Sequence, residues 1–121
     1  MTHKFQINID NNTLIEEFIG DIDLDALNQS GINILDDEKF KQGLNFITDL
    51  RQANLKLGHA DLLQTIYQMP DLGINKHALI TESELQYGLS REFIALSDIL
   101  AEHAEVCIFS DFNTGLKWLS S

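Results

Sequence analysis

Arg51, Ser83, Tyr87 and Arg91 carry the side chains best suited to holding a small anion, with the carboxylates Asp49 and Glu84 near them in sequence. Tyr87 and Arg91 stand four residues apart and so share a face of any helix that contains them. Ser83 lies where that helix would begin, and the free N–H groups of a helix start attract negative charge. Arg51 or Arg91 beside Ser83, with Tyr87 leaning over, would make an anion-binding rim. A structural assignment competes: Asp49 or Glu84 pairs with an arginine, and Tyr87 packs. With only seven basic residues after position 38, the structural assignment is the stronger of the two.

Other patterns fall short of chemistry. Gly88-Leu89-Ser90-Arg91-Glu92 approaches the G-x-S-x-G nucleophile elbow, but Glu92 replaces the second glycine and Ser90 falls inside a helix. Asp21-Ile22-Asp23-Leu24-Asp25 starts like a calcium loop, yet Ala26 stands at its sixth position and Ile32 at its twelfth. Clustered acids entering a helix explain it better. His3, His59, His77 and His103 lack metal-ligand spacing, and His77, at the entry to an apolar strand, reads as a satisfied core or edge residue. The single cysteine, Cys107, cannot close an internal disulfide and lies in an apolar run, as a small core residue would. No cofactor and no metal are expected.

The 121 residues suit one domain, and a formal charge of −11 makes nucleic acid an unsuitable partner. Anionic headgroups are unsuitable for the same reason, and no apolar stretch is long enough for membrane insertion. Residues 1–38 hold nine carboxylates against Lys4 alone, a solvated acidic face that could also receive a basic protein. The N-terminus enters strand pattern directly, without the apolar core of a signal peptide, which points to a cytoplasmic setting.

The elements that must position these residues follow from periodicity. Phe5, Ile7 and Ile9 alternate with polar residues, Thr13–Ile19 forms a second strand, and Asp10-Asn11-Asn12 turns between them as a hairpin. Asp21–Gln29 reads as a short helix, with a further helical turn at Asp36–Lys41. Gly43–Leu50 is an apolar strand. His59–Met69 is a helix with Leu62, Leu63, Ile66 and Tyr67 inward, stopped by Pro70, Asp71 and Gly73. Ala78–Thr81 is a strand. Ser83 and Gln86 then match a capping box, and the helix behind it aligns Leu85, Leu89, Phe93, Leu96 and Leu100. Val106–Phe109 is a strand, and a final helix from near Asp111 carries Phe112, Leu116, Trp118 and Leu119, apolar area suited to the sheet or to a homodimer interface. Alternation of strand and helix implies a parallel sheet. The expected fold class is α/β: one domain with a mixed sheet, an N-terminal antiparallel hairpin plus three parallel strands, and about four helices.

Phe40-x-x-Gly43-Leu44-Asn45-x-x-x-Asp49-Leu50-Arg51-x-Ala53 resembles the central strand block of bacterial SpoIIAA-like (STAS-like) domains. So does Lys76-x-Ala78-Leu79-Ile80, followed by Leu85-x-Tyr87-Gly88-Leu89-Ser90-Arg91-x-Phe93, Val106-x-Ile108-Phe109 and Leu116-x-Trp118-Leu119. The match spans nearly the whole chain, and stand-alone members of the group are the most similar. The resemblance implies about four helices against a mixed sheet. In the family's anti-sigma-factor antagonists, a switch serine opens the helix after the strand matching 44–50. Here that place holds Leu57-Gly58-His59-Ala60, without Ser or Thr.

Fold does not carry function. The leading expectation is a non-enzymatic interaction or regulatory module, with an unidentified protein partner or a second copy meeting Phe112 and Trp118. The competing one is a carrier or sensor of a small anion or lipid, using Arg51, Ser83, Tyr87 and Arg91 and the apolar space beneath Tyr87 and Phe93. Catalysis is the weakest, because Asp49, His59, Ser90 and Arg91 lack a motif that positions them together.

Overall fold

The computed structural model describes residues 1–68, 72–100 and 104–121. Strands β1 (Thr2–Asn8) and β2 (Thr13–Ile22) form the antiparallel hairpin, its turn closed with Asn12 at φ 53°. Asn tolerates that left-handed conformation better than most residues. Helix α1 (Leu24–Leu35) then leads to β3 (Asn45–Asp49), and β4 (Ala53–Leu55) and α2 (His59–Gln68) follow. The chain continues through β5 (Lys76–Ile80), α3 (Glu84–Leu100), β6 (Glu105–Phe109) and α4 (Phe112–Leu119). The sheet order is β1-β2-β3-β5-β6, with β4 paired to β2 off that path. Every pairing except β1–β2 is parallel. The mixed sheet and four helices match the sequence expectation.

Side chains alternate across a strand, so each strand serves two layers. On one face, Ile47, Ala78, Ile80 and Leu119 form a closed core against α4, joined by Ile15, Phe109, Phe112, Leu116 and Trp118. Gly115 sits where α4 meets this face, and a Cβ there would lie 2.8 Å from Ile80 Cδ1. On the other face α1, α2 and α3 cover Ile7, Leu14, Phe46 and Leu72 at one end and Phe18, Ile22 and Ala53 at the other.

Several local expectations need correction. β1 stops at Asn8, which leaves Ile9 57% exposed in the turn. β2 runs three residues beyond Ile19, because β4, a strand the sequence did not signal, pairs with Gly20–Ile22. α1 starts later than expected and continues through Gly31 to Leu35. Ser30, Gly31 and Ile34 are its buried residues, so tertiary cover extends the helix past a weak helix former. Tyr67 and Leu85 point outward, at 68% and 57% exposure. Among the described side chains of α3, the buried ones are Gln86, Ser90 and Ser97, one notch round from the leucine stripe. The expected helix stops Pro70 and Asp71, the helix end Met69, the side chain of Leu100, and His103 lie outside the described residues.

The Ser83–Gln86 capping box is as expected, and two aspartates cap α1 and α4. Asp23 accepts the Ala26 N–H at 2.9 Å as the N-cap of α1, which accounts for the acidic run at 21–25. Ser83 and Gln86 form the reciprocal capping box: Gln86 N–H donates to Ser83 Oγ at 3.1 Å, and Gln86 Oε1 accepts the Ser83 N–H at 3.1 Å. Gln86 Nε2 also donates to the Ala53 carbonyl at 2.9 Å, tying α3 to β4. Asp111 caps α4 through the Thr114 N–H at 2.9 Å.

Candidate functional site

A cavity of about 170 Å³ lies between the sheet and helices α1–α3 and is partly open to solvent. Its apolar wall includes Phe18, Leu27, Ile34, Phe46, Leu62 and Phe93. One side of it is polar. Glu16 on β2, Thr48 on β3 and His77 on β5 line the cavity together. Alternation explains why they meet. Leu14, Glu16 and Phe18 share one face of β2, and Phe46 and Thr48 share the same face of β3. Glu16 is in register with Thr48, and His77 is in register with Phe46, one pleat further along.

Glu16 is only 6% exposed, yet its carboxylate is satisfied. Thr48 Oγ1 donates to Glu16 Oε2 at 2.6 Å, and His3 Nε2 lies 2.8 Å from Glu16 Oε1. The His3 ring stacks on Phe18 with centroids 4.6 Å apart. His77 Nε2 is 2.7 Å from Thr48 Oγ1, and its ring meets Phe46 edge-on at 5.7 Å. Burial pulls the His77 pKa below its usual 6.5, and the negative Glu16 opposes that only in part, so His77 is neutral near pH 7. Serine and threonine hydroxyls on the helices complete the wall. Ser30 donates to the Leu27 carbonyl at 2.6 Å and Thr65 to the Asp61 carbonyl at 2.8 Å, while Ser90 on α3 also lines the space.

The rim at the carboxyl ends of the strands is a separate place. Arg51 grips Asp49 with two bonds, Nε to Oδ1 at 3.0 Å and Nη2 to Oδ2 at 2.8 Å. Burial raises the Asp49 pKa, and the Arg51 side chain and backbone N–H outweigh it, so the carboxyl titrates below its usual range. The same hydrogen bond raises the Arg51 pKa, helped by the charges of Glu82 and Asp111. The Arg51 guanidinium is thus already engaged by a carboxylate. Ser83 caps α3, and the Arg91 guanidinium lies 5.9 Å from the Tyr87 ring centroid on the exposed side of that helix. Arg51, Ser83, Tyr87 and Arg91 do not line the cavity; Phe93, named with Tyr87 as the roof of an apolar space, does.

Phe112 and Trp118 pack onto the closed core, with Trp118 5.6 Å from the Phe109 ring and Lys76 Nζ 5.4 Å from the indole centroid. His59, at the start of α2, is hydrogen-bonded through Nδ1 to Glu92 Oε1 and is solvent-exposed. Cys107 is half-buried in β6. Among the described residues, no three His, Cys, Asp or Glu side chains gather as a metal site, and no helix is long and apolar enough to cross a membrane.

Sequence reasoning missed Glu16 and Thr48 and took His77 and His3 singly. A signal was present: in a strand, adjacent Glu16 and Glu17 must face opposite sides, so one of them has to enter the helix-covered layer.

No family model and no curated protein matches this chain. Among solved structures it is similar to an uncharacterised protein from the DUF3478 family with a SpoIIAA-like fold, from Shewanella loihica PV-4. The TM-score is 0.62, with 98% of this chain and 92% of that chain covered at 18% identity. The fold is therefore SpoIIAA-like, as the resemblance implied. At that identity the likeness is one of fold.

Proposed function

We propose that this protein is a non-enzymatic small-ligand-binding module, a carrier or sensor whose site is the cavity beneath α1–α3. The carrying observation is a cavity of about 170 Å³ with an apolar wall and one buried polar side. Close-packed interiors seldom leave such a space, and apolar cavities of roughly 150 Å³ take up a benzene ring. A few convergent polar groups in an apolar pocket are the usual mark of a small-molecule site. The ligand is an uncharged or cationic apolar molecule rather than an anion, because among the described residues no Lys or Arg lines the cavity and Glu16 is a lining carboxylate.

Partner docking is the second reading. Its support is the exposure of Leu85 and Tyr87 on α3, at 57% and 46%, rather than Phe112 and Trp118, whose rings are engaged by the sheet.

Titrating the protein with toluene while following backbone amide NMR shifts tests the first reading. Saturable shifts confined to residues around Thr48, Leu62 and Phe93 are expected. They should vanish in Ser90→Leu, which fills the space. Absence of saturable shifts in the wild-type protein, or identical shifts in Ser90→Leu, would overturn it.

A further inference from the structure

We propose that the cavity selects small apolar molecules carrying a primary amine, held by Glu16, Thr48 and His77. This deepens the ligand-binding reading above and rests on it.

The direction of the hydrogen bonds decides the ligand class. A threonine hydroxyl has one proton. With Glu16 as the carboxylate, Thr48 gives that proton to Oε2 at 2.6 Å. The 2.7 Å contact to His77 then requires the hydrogen to sit on His77 Nε2, donated to the Thr48 oxygen. In a neutral imidazole this leaves Nδ1 without a hydrogen, as an acceptor. Glu16 takes one donor on each oxygen, from Thr48 and from His3, and a carboxylate has room for about four. The polar side of the cavity therefore offers spare acceptors: the Glu16 lone pairs and His77 Nδ1.

Charge points the same way. Among the described residues, Glu16 is the one carboxylate on the wall, and neither Lys nor Arg lines it. A buried carboxylate whose partners are one hydroxyl and one imidazole is best completed by a cation with several hydrogens to give. An ammonium has three. A molecule of benzylamine size matches the apolar remainder, since about 150 Å³ suffices for benzene alone.

The experiment compares three probes on the wild-type protein by NMR titration at pH 7.5: benzylamine, toluene and benzoate. Benzylamine should bind about tenfold or more tightly than toluene, as hydrogen bonds to a charged group would give, and benzoate should not bind. Contacts from the benzylamine methylene to the Thr48 methyl and the His77 ring, seen as intermolecular nuclear Overhauser effects, would place the amine. Glu16→Gln should bring the ratio of benzylamine to toluene affinity down from about tenfold or more to about one. Toluene binding as well as benzylamine would overturn the amine assignment and leave the binding site standing. Benzoate binding best would overturn it too, and would mean that the cluster carries an extra proton and donates. If none of the three binds, the site itself fails. The wild-type ranking and contacts decide the matter even if Glu16→Gln does not fold.

Discussion

The two faces of the sheet are built to different standards. Under α4, Ile47, Ala78 and Ile80 are fully buried and meet a helix that approaches closely through Gly115. Under α1–α3 the same two strands, β3 and β5, present Thr48, His77 and Leu79, with Glu16 of β2 beside them and a cavity above. Neighbouring residues of one strand thus serve opposite ends, Ile47 closing a core and Thr48 lining a space. Close packing gains dispersion on the first face, whereas a void forfeits those contacts on the second. Buried polar groups on the second face need every hydrogen bond to offset their desolvation. The closed face anchors the strands, and that anchorage lets the other face hold empty volume and polarity.

Breaking the closed face should cost most. Ile47→Ala removes a fully buried side chain from it and should destabilise by about 3 kcal/mol in urea unfolding. A loss below about 1 kcal/mol would mean that α4 settles into the gap and that the face is less tightly fitted than the contacts indicate.

Acidification should strike the cavity face. The folded His77 pKa lies below the usual 6.5, so the unfolded chain takes up its proton first as pH falls. This contribution to stability is full above about pH 6.5 and is lost below it, with a slope approaching 1.4 kcal/mol per pH unit (about one proton) until the folded group titrates. Unfolding measured between pH 7.5 and 5 should show this slope, and His77→Gln should flatten it. An unchanged slope in the variant would assign the effect to groups other than His77.

Adding one carbon to the closed face is a finer probe. Gly115→Ala puts a Cβ 2.8 Å from Ile80 Cδ1 and 3.3 Å from Ile47 Cδ1. Overpacking costs about 1–3 kcal/mol and better helix propensity returns about 1, so a net loss of about 1 kcal/mol is expected from thermal unfolding. Adding carbon to the cavity face is the counterpart. Ser90→Leu should stay within about 0.5 kcal/mol of the parent, since existing space receives the side chain. Equal losses in the two variants would erase the contrast between the faces.

Local chemistry was readable wherever it needed few partners. The Ser83–Gln86 box joins residues three apart and occurs as expected, and the acids expected at a helix entrance include Asp23, which caps α1. Apolar runs located β3, β5 and β6, and strand–helix alternation implied their parallel pairing. β4 was not legible: three residues carry no periodicity, and it exists because Gly20–Ile22 offers an unpaired edge. The rotation of α3 was not legible either. Its leucine stripe lies beside the buried line of Gln86, Ser90 and Ser97, because Gln86 is drawn inward to the Ala53 carbonyl.

The candidate site was the least legible part. Its members stand at positions 3, 16, 48 and 77, on four different strands, and each alone looks like a polar interruption in an apolar run. The sequence by itself determined the kinds and order of the elements other than β4, the Ser83–Gln86 cap and the acidic charge, since periodicity and short-range hydrogen bonds act within a few residues. Only the tertiary structure decided that Glu16, Thr48 and His77 share one wall, because strand register alone brings residues about thirty positions apart within hydrogen-bonding distance.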